Sequence, residues 1–87
     1  LSSQNFELQN VVVYPNPSKG IFTISLGNLQ PETIEVYDVM GKLIMKNNVI
    51  SVTNFQTSVN LSAVAQGIYF IKISANGQNN VKRVVKE

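Results

Sequence analysis

The residues of this chain that could carry out chemistry are few and widely separated. The 87 residues include no histidine and no cysteine, five acidic residues, and seven lysines and arginines. Lys42 and Lys72 are single lysines among serines, but no serine–lysine pair has a spacing that suggests a nucleophile and its base. Asp38 has no clustered carboxylate that could complete a site for a hard cation. The sequence therefore predicts a domain that is not an enzyme and needs no metal or cofactor.

The composition limits the size and the partners of the chain. Eighty-seven residues make one domain, which buries only about 60–65% of its unfolded surface and so has limited stability. A net charge of +2 is too small to indicate nucleic acid or anionic lipid as a partner, and no apolar run is long enough to span or insert into a membrane. A charged fraction of 14%, with many neutral polar residues, suits a secreted or cell-surface protein.

The first turn signature follows the first apolar run and reads Tyr14-Pro15-Asn16-Pro17-Ser18-Lys19-Gly20. Pro15 and Pro17 fix φ, lack an N–H, and restrict the residue before each of them to extended conformations. The segment is therefore a stiff exit from the first strand, and Gly20 can relieve the turn that follows.

Two further signatures mark turns before and after the middle of the chain. The Asp38 carboxylate can accept backbone N–H bonds in a tight turn, in which Gly41 takes a positive φ just before Lys42. Gly67 follows a loop of small residues and begins the most apolar strand. In that strand Tyr69 is expected to be buried, with its hydroxyl hydrogen-bonded as in the tyrosine corners of sandwiches.

Apolar and polar residues alternate in seven short segments, with turn signals about every 8–12 residues. The predicted strands are residues 10–14, 20–26, 32–39, 42–47, 55–61, 68–75 and 80–86. Residues 61–66 could form a single helical turn, and Asn76-Gly77 is a strong hairpin signal. This pattern predicts an all-β fold, a seven-stranded antiparallel two-sheet sandwich with an immunoglobulin-like outline. Its predicted core includes Phe22, Ile24, Ile34, Val36, Val59, Leu61, Tyr69, Ile71 and Ile73, and Phe55 shares a face with Val59.

The last predicted strand carries the most concentrated basic surface. Alternation places Lys82 and Lys86 on one face of that strand and Arg83 on the other. Lysines commonly protect a solvated edge strand from aggregation, and this is the simpler interpretation. The alternative is that Lys82 and Lys86 contact a partner.

Together and in this order, the signatures resemble the type A C-terminal sorting domain of cargo exported by the type IX secretion system. The residues that match the family patterns are Pro15, Asn16, Pro17 and Gly20, then Asp38, Gly41 and Lys42, then Gly67 and Tyr69. In the pattern Leu-x-x-Gly-x-Tyr, Val64 occupies the leucine position. The resemblance covers residues 10–87 and leaves residues 1–9 as a linker from an upstream cargo domain.

The resemblance implies a non-catalytic domain that directs its parent protein across the outer membrane. The parent would pass through the periplasm and become secreted or attached to the cell surface. The partners implied are the outer-membrane type IX translocon and, in many members, a sortase-like cysteine peptidase that removes the domain. We expect recognition to use the folded surface and exposed strand edges, because sandwiches offer unpaired backbone there.

Two other classes of function stay open. One is a generic immunoglobulin-like accessory or binding module of a secreted enzyme, although the lack of tryptophan weakens its carbohydrate-binding version. Position in the full gene would separate the two, because a sorting domain must end the polypeptide. The other is an adhesin or filament subunit assembled by edge-strand addition, which the basic residues on the last strand disfavour.

Overall fold

All seven predicted strands are present in the computed structural model, which describes residues 11–48 and 50–87. The strands are β1 (Val12–Tyr14), β2 (Ile21–Ser25), β3 (Thr33–Asp38), β4 (Leu43–Asn47), β5 (Gln56–Asn60), β6 (Gly67–Ala75) and β7 (Gln78–Lys86). Each observed end lies within two residues of the predicted one. The predicted linker at residues 1–9, and residue 10, lie outside the described residues.

The strands form two antiparallel sheets, in the orders β1-β2-β5 and β4-β3-β6-β7. The prediction of an all-β, two-sheet sandwich of immunoglobulin-like outline is confirmed. β4 pairs with β3 because the turn between them is too short to carry the chain to the other sheet. No helix in the described part of the chain is long and apolar enough to cross a membrane.

The core lies between the two sheets, where alternate residues of each strand point inward. Phe22 and Ile24 of β2 face Val36 of β3 and the pair Ile71 and Ile73 of β6, and all five are 0% exposed. The nine residues predicted for the core are all buried. The core also includes Val11, Leu26, Leu29, Ala75 and Val84.

The loop between β5 and β6 makes a turn but not a helix. The backbone N–H of Val64 donates to the carbonyl of Leu61 at 3.2 Å, and residues 61–66 contain no helical residue. The predicted helical turn is therefore reduced to one hydrogen-bonded turn, from which Val64 packs against the core.

The last hairpin has the predicted turn. Asn76 and Gly77 have φ values of 54° and 75°, and they connect the paired residues Ala75 and Gln78. Positive φ at both central positions is the geometry that matches the twist of the flanking strands.

The predicted orientation of Phe55 is wrong. Asn54 and Phe55 have φ values of 54° and 64° and form a two-residue turn. Thr53 and Gln56 close it, with each backbone N–H donating to the other residue's carbonyl at 2.8 and 3.0 Å. Because the strand begins only after this turn, Phe55 leaves the inward-facing row and is 62% exposed.

Candidate functional site

The pairing of strands brings the three turn signatures to one end of the sandwich. Asp38 at the end of β3 pairs with Tyr69, Gly67 at the start of β6 pairs with Lys86, and Lys86 forms a bridge with Ser18. We call this region the motif end, and define it as residues 14–20, 38–42 and 67–69 together with Lys86. Lys82 lies outside it, because it is four positions before Lys86 in β7, or roughly 13 Å along the strand.

The Pro-Asn-Pro segment covers the outer edge of β7. The Asn16 side chain acts like a neighbouring strand, because its Nδ2 donates to the Arg83 carbonyl at 3.0 Å and its Oδ1 accepts from the Val85 N–H at 2.9 Å. The Ser18 backbone continues the pattern, donating to the Val85 carbonyl at 3.0 Å and accepting from the Glu87 N–H at 2.8 Å. We call Asn16 and Ser18 the edge clamp.

The edge clamp corrects one expectation from the sequence. β7 is an edge strand, as expected, but the backbone of residues 83–87 is not left as an unpaired, solvated edge. The residues on either side of Asn16 are prolines, and both the Tyr14–Pro15 and the Asn16–Pro17 peptide bonds are cis. Through the hydrogen bonds of Asn16 and Ser18, the segment that carries the first family signature is bound directly to the last strand.

Gly20 is needed for a close approach between two backbones. A β-carbon at this position would overlap Ser62 Oγ and would lie only 3.1 Å from Ser62 Cα. The Gly20 carbonyl accepts a hydrogen bond from the Leu61 N–H at 2.7 Å, which holds the two segments together. Gly20 is not among the residues with positive φ, so the expected role in relieving the turn is wrong. Ser18, only 7% exposed, supports this contact by accepting from the Gly20 N–H at 3.2 Å.

The Asp38 turn is confirmed in detail. Asp38 Oδ1 accepts from the backbone N–H groups of Met40 and Lys42, each at 2.9 Å, and Gly41 has a φ of 85°. The carboxylate is thus used to hold the turn. The turn carries Val39 and Met40 at its apex, where they are 63% and 87% exposed. We call these two residues the apolar tip.

An apolar row continues from the tip across the outer face of the larger sheet. Leu43 of β4 lies opposite Tyr37 of β3, which lies opposite Phe70 of β6, which in turn lies opposite Arg83 of β7. Leu43 is 45% exposed, and Tyr37 and Phe70 are half-buried. This outer row gives the tip an apolar surface behind it, with a basic residue at the far end.

Tyr69 anchors the loop before β6. It is 7% exposed, and its hydroxyl donates to the Ala65 carbonyl at 2.7 Å, which confirms the predicted buried and hydrogen-bonded tyrosine. Gly67 has a positive φ, at 151°. The family residues Gly67 and Tyr69 therefore shape this loop.

The two lysines of β7 lie on the inner side of their strand. Lys82 and Lys86 share a face with Val84, which is fully buried, so the predicted alternation with Arg83 is correct. Lys86 is half-buried and its Nζ donates to the Val64 carbonyl at 2.9 Å. The ammonium group of Lys86 binds the loop, a contact that the sequence analysis did not predict. An inward-pointing charge also protects the edge against association with another strand.

A small charge cluster lies beside the outer row. The Tyr37 hydroxyl donates to Glu35 Oε1 at 2.8 Å, and the ammonium groups of Lys46 and Lys72 lie 3.7 and 3.8 Å from the carboxylate oxygens. The hydrogen bond from Tyr37, with smaller contributions from the two lysines, holds the pKa of Glu35 below its usual range. The same hydrogen bond raises the pKa of Tyr37.

Replacing Tyr37 by Phe is expected to raise the pKa of Glu35 towards its ordinary value, because the hydroxyl makes the largest contribution that lowers it. A carboxylate with a lowered folded-state pKa stabilises the fold above its unfolded-state pKa, and this stability is lost as the pH falls through the folded-state value. The variant should therefore lose less stability on acidification. An NMR titration of the Glu35 carboxyl carbon measures the pKa directly. Tyr14→Phe is the control, since the Tyr14 hydroxyl contacts Gln56, and an unchanged Glu35 pKa in Tyr37→Phe would contradict the assignment.

A family model shows to which group of proteins the chain belongs. In the described part of the chain, no group of three histidine, cysteine, aspartate or glutamate residues could hold a metal ion. The signature residues form turns and cover a strand edge, and the Asp38 turn carries two exposed apolar side chains. The model of the family described as the secretion system C-terminal sorting domain matches residues 12–87, and the chain belongs to this family.

The curated relatives are lyases much longer than this chain. An ulvan lyase from Nonlabens ulvanivorans is 33% identical over 79 residues, which cover 87% of this chain and 14% of the lyase. An endo-acting ulvan lyase from Formosa agariphila is 34% identical over 79 residues, covering 88% of this chain and 15% of that enzyme. The chain thus spans about one seventh of the length of these relatives.

Membership of the family establishes the role of the domain. It is a type IX sorting signal, and it directs its parent protein to the cell surface or the extracellular space. The family is a sorting tail and not a catalytic domain, so the enzyme names of the relatives do not describe this region.

Sequence reasoning missed several residues of the motif end. Ser18 of the motif end and Ser62, which lies outside it, gave no signal. Ser18 bonds to the backbone of Val85 and Glu87, and Ser62 lies against Gly20, so both contacts join segments far apart in the chain. The apolar tip did leave a signal, since Val39 and Met40 occupy a turn position where polar residues are usual.

Proposed function

We propose that the domain docks on the outer-membrane type IX translocon through its motif end, with the apolar tip as the main contact. The observation that carries this proposal is the exposure of Met40 and Val39, at 87% and 63%, on a turn held by two bonds to Asp38. Contiguous apolar groups at a surface mark interaction sites, because their exposure to water is unfavourable. A rigid turn also loses little conformational entropy when it binds.

The outer row supports the same surface. Leu43, Tyr37 and Phe70 extend the apolar area behind the tip, and Lys42 and Arg83 place positive charge beside it. The receptor surface that fits this arrangement is an apolar recess with carboxylates at its rim. The edge clamp already occupies the last residues of β7, which favours docking by side chains over strand addition at that edge.

Lys82 and Lys86 are proposed to play different parts. Lys86 supports the loop through Val64, whereas nothing in the structure assigns Lys82 a hydrogen-bonded partner among the described residues. Lys82 is therefore the better candidate for a direct contact with the translocon. We propose that this contact adds to the main contact made by the apolar tip.

The proposal also covers the cargo that this domain exports and the removal of the domain after export. The relatives are ulvan lyases, and the chain matches only 14–15% of their length, so we propose an upstream polysaccharide-degrading enzyme as the cargo. We further propose that a sortase-like cysteine peptidase removes the domain by cleaving in the linker, residues 1–9. Mass spectrometry of the domain released from a secreting cell would locate the new N-terminus.

Replacing Val39 and Met40 by Ser together is expected to trap cargo in the periplasm. The fusion would carry a signal peptide, a fluorescent reporter and residues 1–87, expressed in a cell with an active type IX system. Because both side chains are exposed, the double variant should keep its stability within about 0.5 kcal/mol per site. Fractionation of the reporter into periplasm and medium gives the result.

The matched control is Val81→Ser, which removes an apolar side chain that is 55% exposed and lies on β7 away from the motif end. This control should be exported like the parent fusion. Normal export of a folded Val39→Ser, Met40→Ser variant would overturn the assignment of the tip.

A further inference from the structure

A groove lies away from the Asp38 and Gly67 turns of the motif end. Its residues include Asn47 at the far end of β4 and Gln56 at the start of β5, whereas the signatures lie where β3 ends and β6 begins. The groove has a volume of about 530 Å³, which is within the usual range for small-ligand sites. It is lined by Thr23, Asn47, Ile50, Ser51, Thr53, Asn54, Gln56, Thr57 and Ser58.

The lining has a distinct chemistry. Every lining residue is uncharged, and all but Ile50 carry a hydroxyl or an amide. Such groups both donate and accept hydrogen bonds without adding net charge. A phosphate or carboxylate ligand would need a positive partner, and a peptide would need apolar recesses for its side chains. The lining supplies neither, and it suits a ligand rich in neutral hydroxyl groups.

An exposed aromatic ring in a strained position adjoins the groove. Phe55 belongs to the turn whose other three residues, Thr53, Asn54 and Gln56, all line the groove. Its φ of 64° is a left-handed conformation that bulky residues rarely adopt, and glycine is preferred in this type of turn. The ring is 62% exposed, so burial in the core does not compensate for this strain. Residues in strained conformations cluster at binding and catalytic sites.

A second contact fixes the same region. Gln56 Nε2 donates to the Tyr14 hydroxyl at 2.6 Å, which holds one lining side chain against β1. Tyr14 is itself 40% exposed. One lining amide is thus held in place, and the turn that supplies three of the lining residues also carries an exposed ring.

We infer that this groove binds a short stretch of neutral oligosaccharide. The hydroxyl and amide side chains of the lining bond the sugar hydroxyls, and Phe55 stacks on the C–H face of a sugar ring. This site is separate from the proposed docking through the apolar tip, because neither Val39 nor Met40 lines the groove.

Binding can be tested by NMR with the 87-residue chain and neutral hexasaccharides of β-1,4-glucose, β-1,3-glucose, β-1,4-xylose and β-1,4-mannose. At least one sugar is expected to shift the amide signals of Thr23, Thr57 and Ser58 saturably. Failure of all four to shift these signals up to about 10 mM, well above the weak end of specific binding, would overturn the inference. The inference would also be overturned if an extended peptide shifted the amide signals of β5 and none of the sugars did.

The variant Phe55→Gly separates binding from folding. Glycine relieves the positive φ, so the thermal midpoint should rise, while loss of the ring should weaken sugar binding about tenfold. Met40→Ala at the apolar tip is the matched control and should bind sugar like the parent chain. Equal sugar affinity in Phe55→Gly would show that the ring is not part of the site, and would overturn its assignment.

Discussion

Replacing Ile71 by Ala is expected to lower the free energy of unfolding by about 2–5 kcal/mol. Ile71 is 0% exposed at the middle of β6, where it pairs with Val36 on one side and Lys82 on the other. The change removes buried methyl groups and leaves a cavity between two sheets that cannot fully close over it. Since domains of this size have about 5–15 kcal/mol in total, a large share of the stability would be lost.

Urea denaturation monitored by circular dichroism measures this loss. Val81→Ala is the control, because Val81 lies on the neighbouring strand and is 55% exposed, and its cost should stay within about 0.5 kcal/mol. A cost below about 1 kcal/mol for Ile71→Ala would mean that β6 is not the centre of the core. A far-ultraviolet spectrum dominated by helix would contradict the fold itself.

The strands were predictable because their signals are local. The alternation of Phe22 and Ile24 with polar neighbours depends only on the period of a strand, and the Asp38 turn depends on residues at most four positions apart. The distribution of strands between sheets is less local. Part of this distribution could still be predicted, because a short turn keeps β3 and β4 in one sheet, and another keeps β6 and β7 together.

The edge clamp could not be predicted in this way. Asn16 bonds to Arg83 and Val85, which lie 67 and 69 residues away in the chain. Side-chain amides form such bonds with any free strand edge, so nothing near Asn16 indicates which edge it covers. The sequence marked the segment as a stiff turn, and only the fold shows what the turn is bound to.

Gly20 and Phe55 show two further limits. Glycine is used either for positive φ or for close approach, and the sequence around Gly20 does not distinguish them, since the contact is with Ser62. Phe55 continued the apolar alternation of its strand, so the pattern placed it on the same face as Val59. The turn at Thr53–Gln56 overrides the pattern, because β5 begins after Phe55, one residue later than the alternation predicts.

Deleting residues 81–87 is expected to abolish export of a reporter fused behind a signal peptide and ahead of the domain. The deletion removes Val84 from the core and exposes the backbone of β6 to water. It also removes the strand that the edge clamp binds, which frees the Pro-Asn-Pro segment. The fusion should then accumulate in the periplasm, where fractionation and fluorescence detect it.

Two smaller changes separate structure from recognition. Asn16→Ala keeps β7 and removes only the two side-chain bonds of the clamp, at a cost of about 1–2 kcal/mol, so export should fall partly. Lys82→Gln with Arg83→Gln removes charge and keeps the strand. Lys86 stays unchanged, because its ammonium group binds Val64.

The charge variant decides what the last strand contributes. If the apolar tip is the main contact, a folded Lys82→Gln, Arg83→Gln variant should be exported at close to the parent rate, and the strand acts by completing the sandwich. Retention of that folded variant would instead make the basic residues of β7, and not the apolar tip, the main contact. Retention of the intact fusion in a cell with an active type IX system would overturn sorting by this chain, and the accessory-module alternative would then account for its binding groove.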